Sequence, residues 1–171
     1  MPPVLSLDLR ASLTWLLQDA LDLSTITDVS KLEYAASLTS GIGSGQADRI
    51  WHDERTLAAS AVDELVLSAL ESSVFGNDVE VALAKVKALL IVVTTTTAGT
   101  ELTLGDAAAD AWVGPFNSAG DRLKLGPDAA LFLVDKQSGW SVGAGTSDVL
   151  KIANTGSVEA TYRIVIVGTS A

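Results

Sequence analysis

Ala160-Thr161-Tyr162-Arg163-Ile164-Val165-Ile166-Val167 is the stretch on which the fold turns. Its β-branched side chains are stiff at χ1 and pack well on a pleated surface. The run is too short for a stable isolated helix, and Gly168 ends it. It reads as a strand. Just before it, Asp148-Val149-Leu150-Lys151-Ile152-Ala153 stops at Asn154-Thr155-Gly156, a turn signal. These last two strands are expected to pair as an antiparallel hairpin.

Working outward, the same pattern recurs through the second half. Trp140-Ser141-Val142 lies between Gly139 and Gly143 as a short strand, and Ala130-Leu131-Phe132-Leu133-Val134 reads as a core strand. Asp121 to Leu125 alternates and stops at Gly126-Pro127, and Glu101 to Leu104 alternates and stops at Gly105. Val86 to Val93 reads as a central strand buried on both faces. Short strands punctuated by Gly, Pro, Asn and Asp predict a sandwich or barrel rather than alternating strands and helices.

The first half leaves helix and strand open at two places, residues 11–23 and 56–84. Leu13, Leu16, Leu17 and Ala20 would share a helical face, whereas two short strands, Ser12 to Leu17 and Ala20 to Leu23, suit the Leu21-Asp22-Leu23 alternation. Leu32 to Leu38 reads as a strand and Gly41-Ile42-Gly43-Ser44-Gly45 as a loop. Ala58, Ala59, Ala61, Val62, Leu65 and Leu70 favour helix by propensity, but Glu64-Leu65-Val66-Leu67-Ser68 alternates, which tips the balance towards a strand after a turn at Ala59-Ser60. The expected organisation is residues 1–35 as an N-terminal arm or first strands and residues 36–171 as one antiparallel all-β domain, a sandwich or barrel.

A chain of 171 residues suits one domain with a short arm, and can bury roughly 70% of its unfolded surface without staples. It has no cysteine, hence no disulfide or thiolate metal site. The net charge of −10 and a pI near 4.3 oppose binding to nucleic acid or anionic membranes. No uninterrupted apolar run approaches the ~20 residues of a spanning helix, and Met1-Pro2-Pro3-Val4 lacks the basic start of a signal peptide. Yet 48% of residues are hydrophobic and the mean hydropathy is +0.36. Either identical neighbours cover part of this apolar surface, or the core is simply rich in Ala and Val.

Candidate chemistry is sparse. His52 is the one histidine, set in Trp51-His52-Asp53-Glu54-Arg55. Neighbours in a strand point to opposite faces, so His52 and Asp53 are not expected to pair, and the segment reads as a polar surface cluster before a strand. Asp106 and Asp110 could share a helical face, but a solvated turn suits them better, and the Asp-x-Asp-x-Asp-Gly calcium pattern is missing. Gly41 to Gly45 fits neither dinucleotide-binding nor P-loop spacing. Trp15, Trp51, Trp112 and Trp140 are dispersed, which favours core or subunit-contact roles over a carbohydrate platform. No catalytic, cofactor-binding or metal-ligating residue is therefore assigned, and no cofactor is expected.

The order of motifs carries more. Gly43-Ser44-Gly45-Gln46-Ala47-Asp48-Arg49-Ile50-Trp51 leads into Asp53 to Ala61. Then come Phe75-Gly76, Val86-Lys87-Ala88, Leu102-Thr103-Leu104-Gly105, Gly139-Trp140-Ser141-Val142, Gly145-Thr146 and the two closing strands. Over residues 35–171 this resembles a group of small proteins encoded in the structural regions of tailed-phage and prophage genomes. The resemblance implies a virion protein with a jelly-roll-like sandwich, and no catalytic residue. Head decoration (cement) proteins of this size are often trimers over capsomer junctions. The expected partners are the major capsid protein and further copies of the chain, and the expected location is the phage particle, assembled in the host cytoplasm. A tail or head-fibre subunit, or a carbohydrate- or receptor-binding module, is the alternative. Glu71 to Ala84 departs from the group by being more helix-prone than the turn-rich stretch expected there.

Overall fold

A computed structural model describes residues 4–20, 22–74 and 77–171. Among these residues fourteen strands run in chain order: β1 (Leu7–Ala20), β2 (Thr25–Ser40), β3 (Gln46–Ala47), β4 (Arg49–Leu57), β5 (Val62–Val66), β6 (Leu70–Val74) and β7 (Asn77–Val81) come first. β8 (Lys85–Val93), β9 (Leu102–Gly105), β10 (Arg122–Leu125), β11 (Ala130–Val134), β12 (Trp140–Ser141), β13 (Val149–Asn154) and β14 (Ala160–Thr169) complete the chain. The fold is all-β, with no helix among the described residues.

Two antiparallel sheets carry the core. One has the order β11-β8-β14-β4, with β12 also on β8; the other has the order β10-β9-β13-β5. Side chains alternate across each sheet, so Leu89, Ile91, Ile164 and Ile166 of the first meet Leu65, Leu102, Leu104, Leu150 and Ile152 of the second in one buried cluster. Val86 to Val93 is a central strand, paired with β11 and β14, and the last strand holds Tyr162, Ile164 and Ile166 fully inside.

The closing strands correct the expected hairpin. β13 pairs β5 and β9, while β14 pairs β4 and β8, so they lie in different sheets. The physical reason sits in the turn. Buried Asn154 donates from Nδ2 to the carbonyls of Leu57 (2.9 Å), Ala58 (3.1 Å) and Val158 (2.8 Å), and its Oδ1 accepts from the Gly156 amide at 3.0 Å. One side chain thus ties the β13–β14 crossing to the β4–β5 crossing. The latter is the turn expected at Ala59-Ser60, where Ser60 takes a positive φ of 65°.

Among the described residues, 11–20 and 22–23 form neither a helix nor two short strands. β1 runs unbroken to Ala20 and pairs along its whole length with β2, from Leu7 against Leu38 to Ala20 against Thr25. Leu21 lies outside the described residues, as do Met1 to Pro3 and Phe75-Gly76. The Leu32 to Leu38 strand is the interior of β2, which continues past residue 35 to Ser40. Among the described residues, 56–84 form strands and turns with no helix: after β5, the β6–β7 pair occupies the helix-prone segment. Core burial of Leu70 and Leu83 and a 2.8 Å bond from the Trp51 indole to the Glu71 carbonyl override propensity there. Ala130 to Val134 is an edge rather than a core strand, half-buried for most of its length. The Trp51 to Arg55 cluster lies inside β4, not before a strand.

Candidate interaction surface

The β1–β2 ribbon is the feature that alternation alone could have exposed. In a two-stranded ribbon, odd residues of β1 and even residues of β2 share a face. That face carries Leu7, Leu9, Ala11, Leu13, Trp15 and Leu17 opposite Leu38, Ala36, Tyr34, Leu32, Ser30 and Asp28. The other face is mostly polar, interrupted by the directly opposed Leu16 and Val29.

Only the base of the apolar face is covered. Leu9 is 7% exposed and Leu38 1%, whereas Leu13 is 64% exposed and Leu32 68%. The covered part packs on the outer face of the β11-β8-β14-β4 sheet, against Ala88, Val167, Phe132, Val134 and Val165. Gln46 holds the connection that delivers β2 to β3: its Oε1 accepts from the Gly43 amide at 3.0 Å, and the Gly45 amide donates to the Lys136 carbonyl at 2.9 Å. These amides of Gly41–Gly45 therefore serve the turn, not a phosphate.

The sheet beneath is apolar on one half of its outer face. Its registers place Val134, Ala88, Val167 and Ile50 in one row, then Phe132, Leu90, Val165 and His52, then Ala130, Val92, Arg163 and Glu54. The ribbon base covers Ala88 and Val167. The next row stays half open and lines a groove of about 310 Å³ with Leu9 and Ala11. Towards β4 the face turns polar, and a second groove of about 660 Å³ holds His52, Glu54, Glu71 and Arg163.

The remaining candidates separate. His52 lines that polar groove, while Asp53 accepts from Arg55 Nε at 2.8 Å. Arg55 Nη1 also donates to both carboxylate oxygens of Asp63 (2.7 and 2.8 Å), and Tyr162 donates its hydroxyl to Asp63 at 2.7 Å. Burial opposes the Arg55 charge, but Asp53 and Asp63 outweigh it and hold its pKa above the ordinary value. Burial, then Asp63, pushes the Tyr162 phenol well up, so it remains a donor. This network links β4 and β14 to β5 across the sandwich and was invisible in the sequence, because its hydrogen-bonded partners are up to 99 positions apart.

Asp106 and Asp110 sit in irregular chain at φ of 58° and 50°, and Asp106 pairs Arg122 at 2.9 Å. Among the described residues no group of three or more Asp, Glu or His could hold a metal ion. Trp51 and Trp112 are buried. Trp112 meets Trp140 edge to face at 6.4 Å, so two of the tryptophans that look dispersed are neighbours. Trp15 alone of the four stands on the ribbon, its indole donating to Asp28 at 3.1 Å. Compared with known proteins, the chain matches no family model and no curated sequence.

Proposed function

We propose that this chain is a non-enzymatic structural subunit of a tailed-bacteriophage particle, and within that class a head decoration (cement) protein binding across neighbouring major-capsid subunits as a homo-oligomer, a trimer by the resemblance. The observation that carries the assembly role is the bare apolar face of the β1–β2 ribbon. An isolated two-stranded ribbon is marginal in water, and a contiguous exposed apolar face of this kind marks an interaction site. The phage assignment itself comes from the motif resemblance over residues 35–171.

Strand order supports the jelly-roll reading. With the eight principal sandwich strands numbered in chain order, 1-8-3-6 (β4-β14-β8-β11) faces 2-7-4-5 (β5-β13-β9-β10). That is the interleaved order of two Greek keys, an architecture used by viral capsid domains and by lectins. Such likeness is fold-level analogy and adds to the resemblance without replacing it. Lectin use of the fold, with Trp15 exposed, favours a carbohydrate-binding module as the second reading.

Immunogold labelling of intact particles with antibody to this protein tests the assignment. Label over the whole head is the expected result. Label confined to the tail or one vertex moves the protein to a tail or fibre role. Unlabelled particles from cells that express the protein overturn the virion reading, and a glycan screen then decides the carbohydrate one.

A further inference from the structure

We propose that the uncovered face of the β1–β2 ribbon packs on the outer sheet face of a second copy of this chain, each copy giving one arm and receiving one. The inference rests on the reading of the ribbon as an assembly element and names its partner.

Continuity is the first support. Within one chain, Leu9 and Leu38 already bury themselves on Ala88 and Val167. The neighbouring row, Phe132, Leu90 and Val165, offers the same chemistry half open, and the next ribbon residues outward, Ala11, Leu13 and Leu32, are exposed. An arm and a seat of matching character therefore occur on the same molecule, as a closed symmetric assembly needs.

Area is the second support. The distal ribbon, ten residues of β1 from Ala11 to Ala20, measures roughly 33 Å by 10 Å, so one face covers on the order of 330 Å². One arm on a foreign partner buries about 660 Å² in total, within the range of crystal-packing contacts. Reciprocal exchange between two copies makes two such contacts at one pair, about 1,300 Å² summed over both partners, which reaches the range of specific interfaces.

Charge is the third. Asp19 and Asp28 lie on the apolar face near the arm's tip. Those carboxylates oppose insertion into lipid, where a charge on the apolar face is costly.

The test uses the purified full-length chain without particles, so it is independent of the labelling result. Sedimentation should reveal a concentration-dependent assembly, and replacing Leu13→Ser with Leu32→Ser should weaken it by about a hundredfold or more. The near-ultraviolet signal of Trp112 and Trp140 should remain, showing an intact sandwich. Because the chain has no cysteine, a Leu13→Cys variant mixed with a Leu90→Cys variant should oxidise mainly to the mixed disulfide. A monomer at every concentration overturns the proposal, and so does cross-linking of Leu13→Cys only to itself. A monomer that coats phosphatidylcholine or phosphatidylglycerol vesicles also overturns it, in favour of lipid. A self-associating chain that labels no particle leaves arm exchange standing and removes the phage assignment.

Discussion

The sandwich and the ribbon are built from the same residue types in the same alternation, yet they solve opposite problems. In the sandwich each apolar face meets another sheet: Ile91, Ile152, Ile164 and Ile166 are essentially inaccessible. In the ribbon the equivalent face meets nothing beyond its base, and Leu13 and Leu32, directly opposed in register, remain two-thirds exposed. A strand pattern therefore specifies that a face wants covering without specifying whether the cover comes from the same chain. Polar structure differs likewise. The sandwich locks its crossings with buried side chains such as Asn154 and the Arg55–Asp63–Tyr162 network. The exposed ribbon has the Trp15–Asp28 bond and the Lys31–Glu33 pair on its surface, contacts that are worth little in water.

The contrast breaks most sharply in the core. Ile166→Ala should cost about 2–5 kcal/mol, the usual range for an Ile lost from a packed interior, as a lower urea midpoint with unchanged slope. Asp63→Ala removes the shared acceptor of Arg55 and Tyr162 and should cost about 2–3 kcal/mol, measured the same way. Asp63→Asn, which keeps an acceptor, should recover part of that loss.

Lys87 offers a smaller, pH-dependent effect. It is buried at a bulge where Gly168 pairs with Val86 after Val167 has paired with Ala88, and its ammonium donates to the Gln137 carbonyl at 2.7 Å. A Cβ on Gly168 would strike the Lys85 carbonyl, so the close backbone approach there requires glycine. Burial first, then Lys85, holds the Lys87 pKa below its ordinary 10.5. The unfolded chain then binds the proton more tightly than the folded one. Stability attributable to this group therefore rises as pH climbs from the lowered value towards 10.5. Lys87→Met should remove that slope in urea midpoints measured across the window. A slope equal to that of the parent would assign it to other groups.

Smallest of all should be Leu13→Ser under monomeric conditions, within about 0.5 kcal/mol of the parent in sandwich stability. A large loss would mean that the distal ribbon supports its own sandwich, and the distinction between the two regions would collapse.

Residues from 86 onward were largely legible, because β-branched runs bounded by Gly, Pro and Asn leave few alternatives to strands. The early segments were not. Leu13, Leu16, Leu17 and Ala20 satisfy a helical stripe, and only pairing with Thr25–Ser40 makes the odd positions count. At 56–84, good helix formers were overruled by Leu65, Leu70 and Leu83 entering the core.

By itself, then, the sequence determined most strands from residue 86 onward, many of their ends and the all-β class, since these follow from side-chain branching, alternation and turn residues acting over a few positions. Tertiary structure alone decided which strands pair, that β13 and β14 part into different sheets, and that Arg55, Asp63 and Tyr162 meet. It also decided that the apolar face of the first hairpin is left bare. Each of these depends on which edge and which face another segment has already filled, and that is set by contacts between residues far apart in the chain.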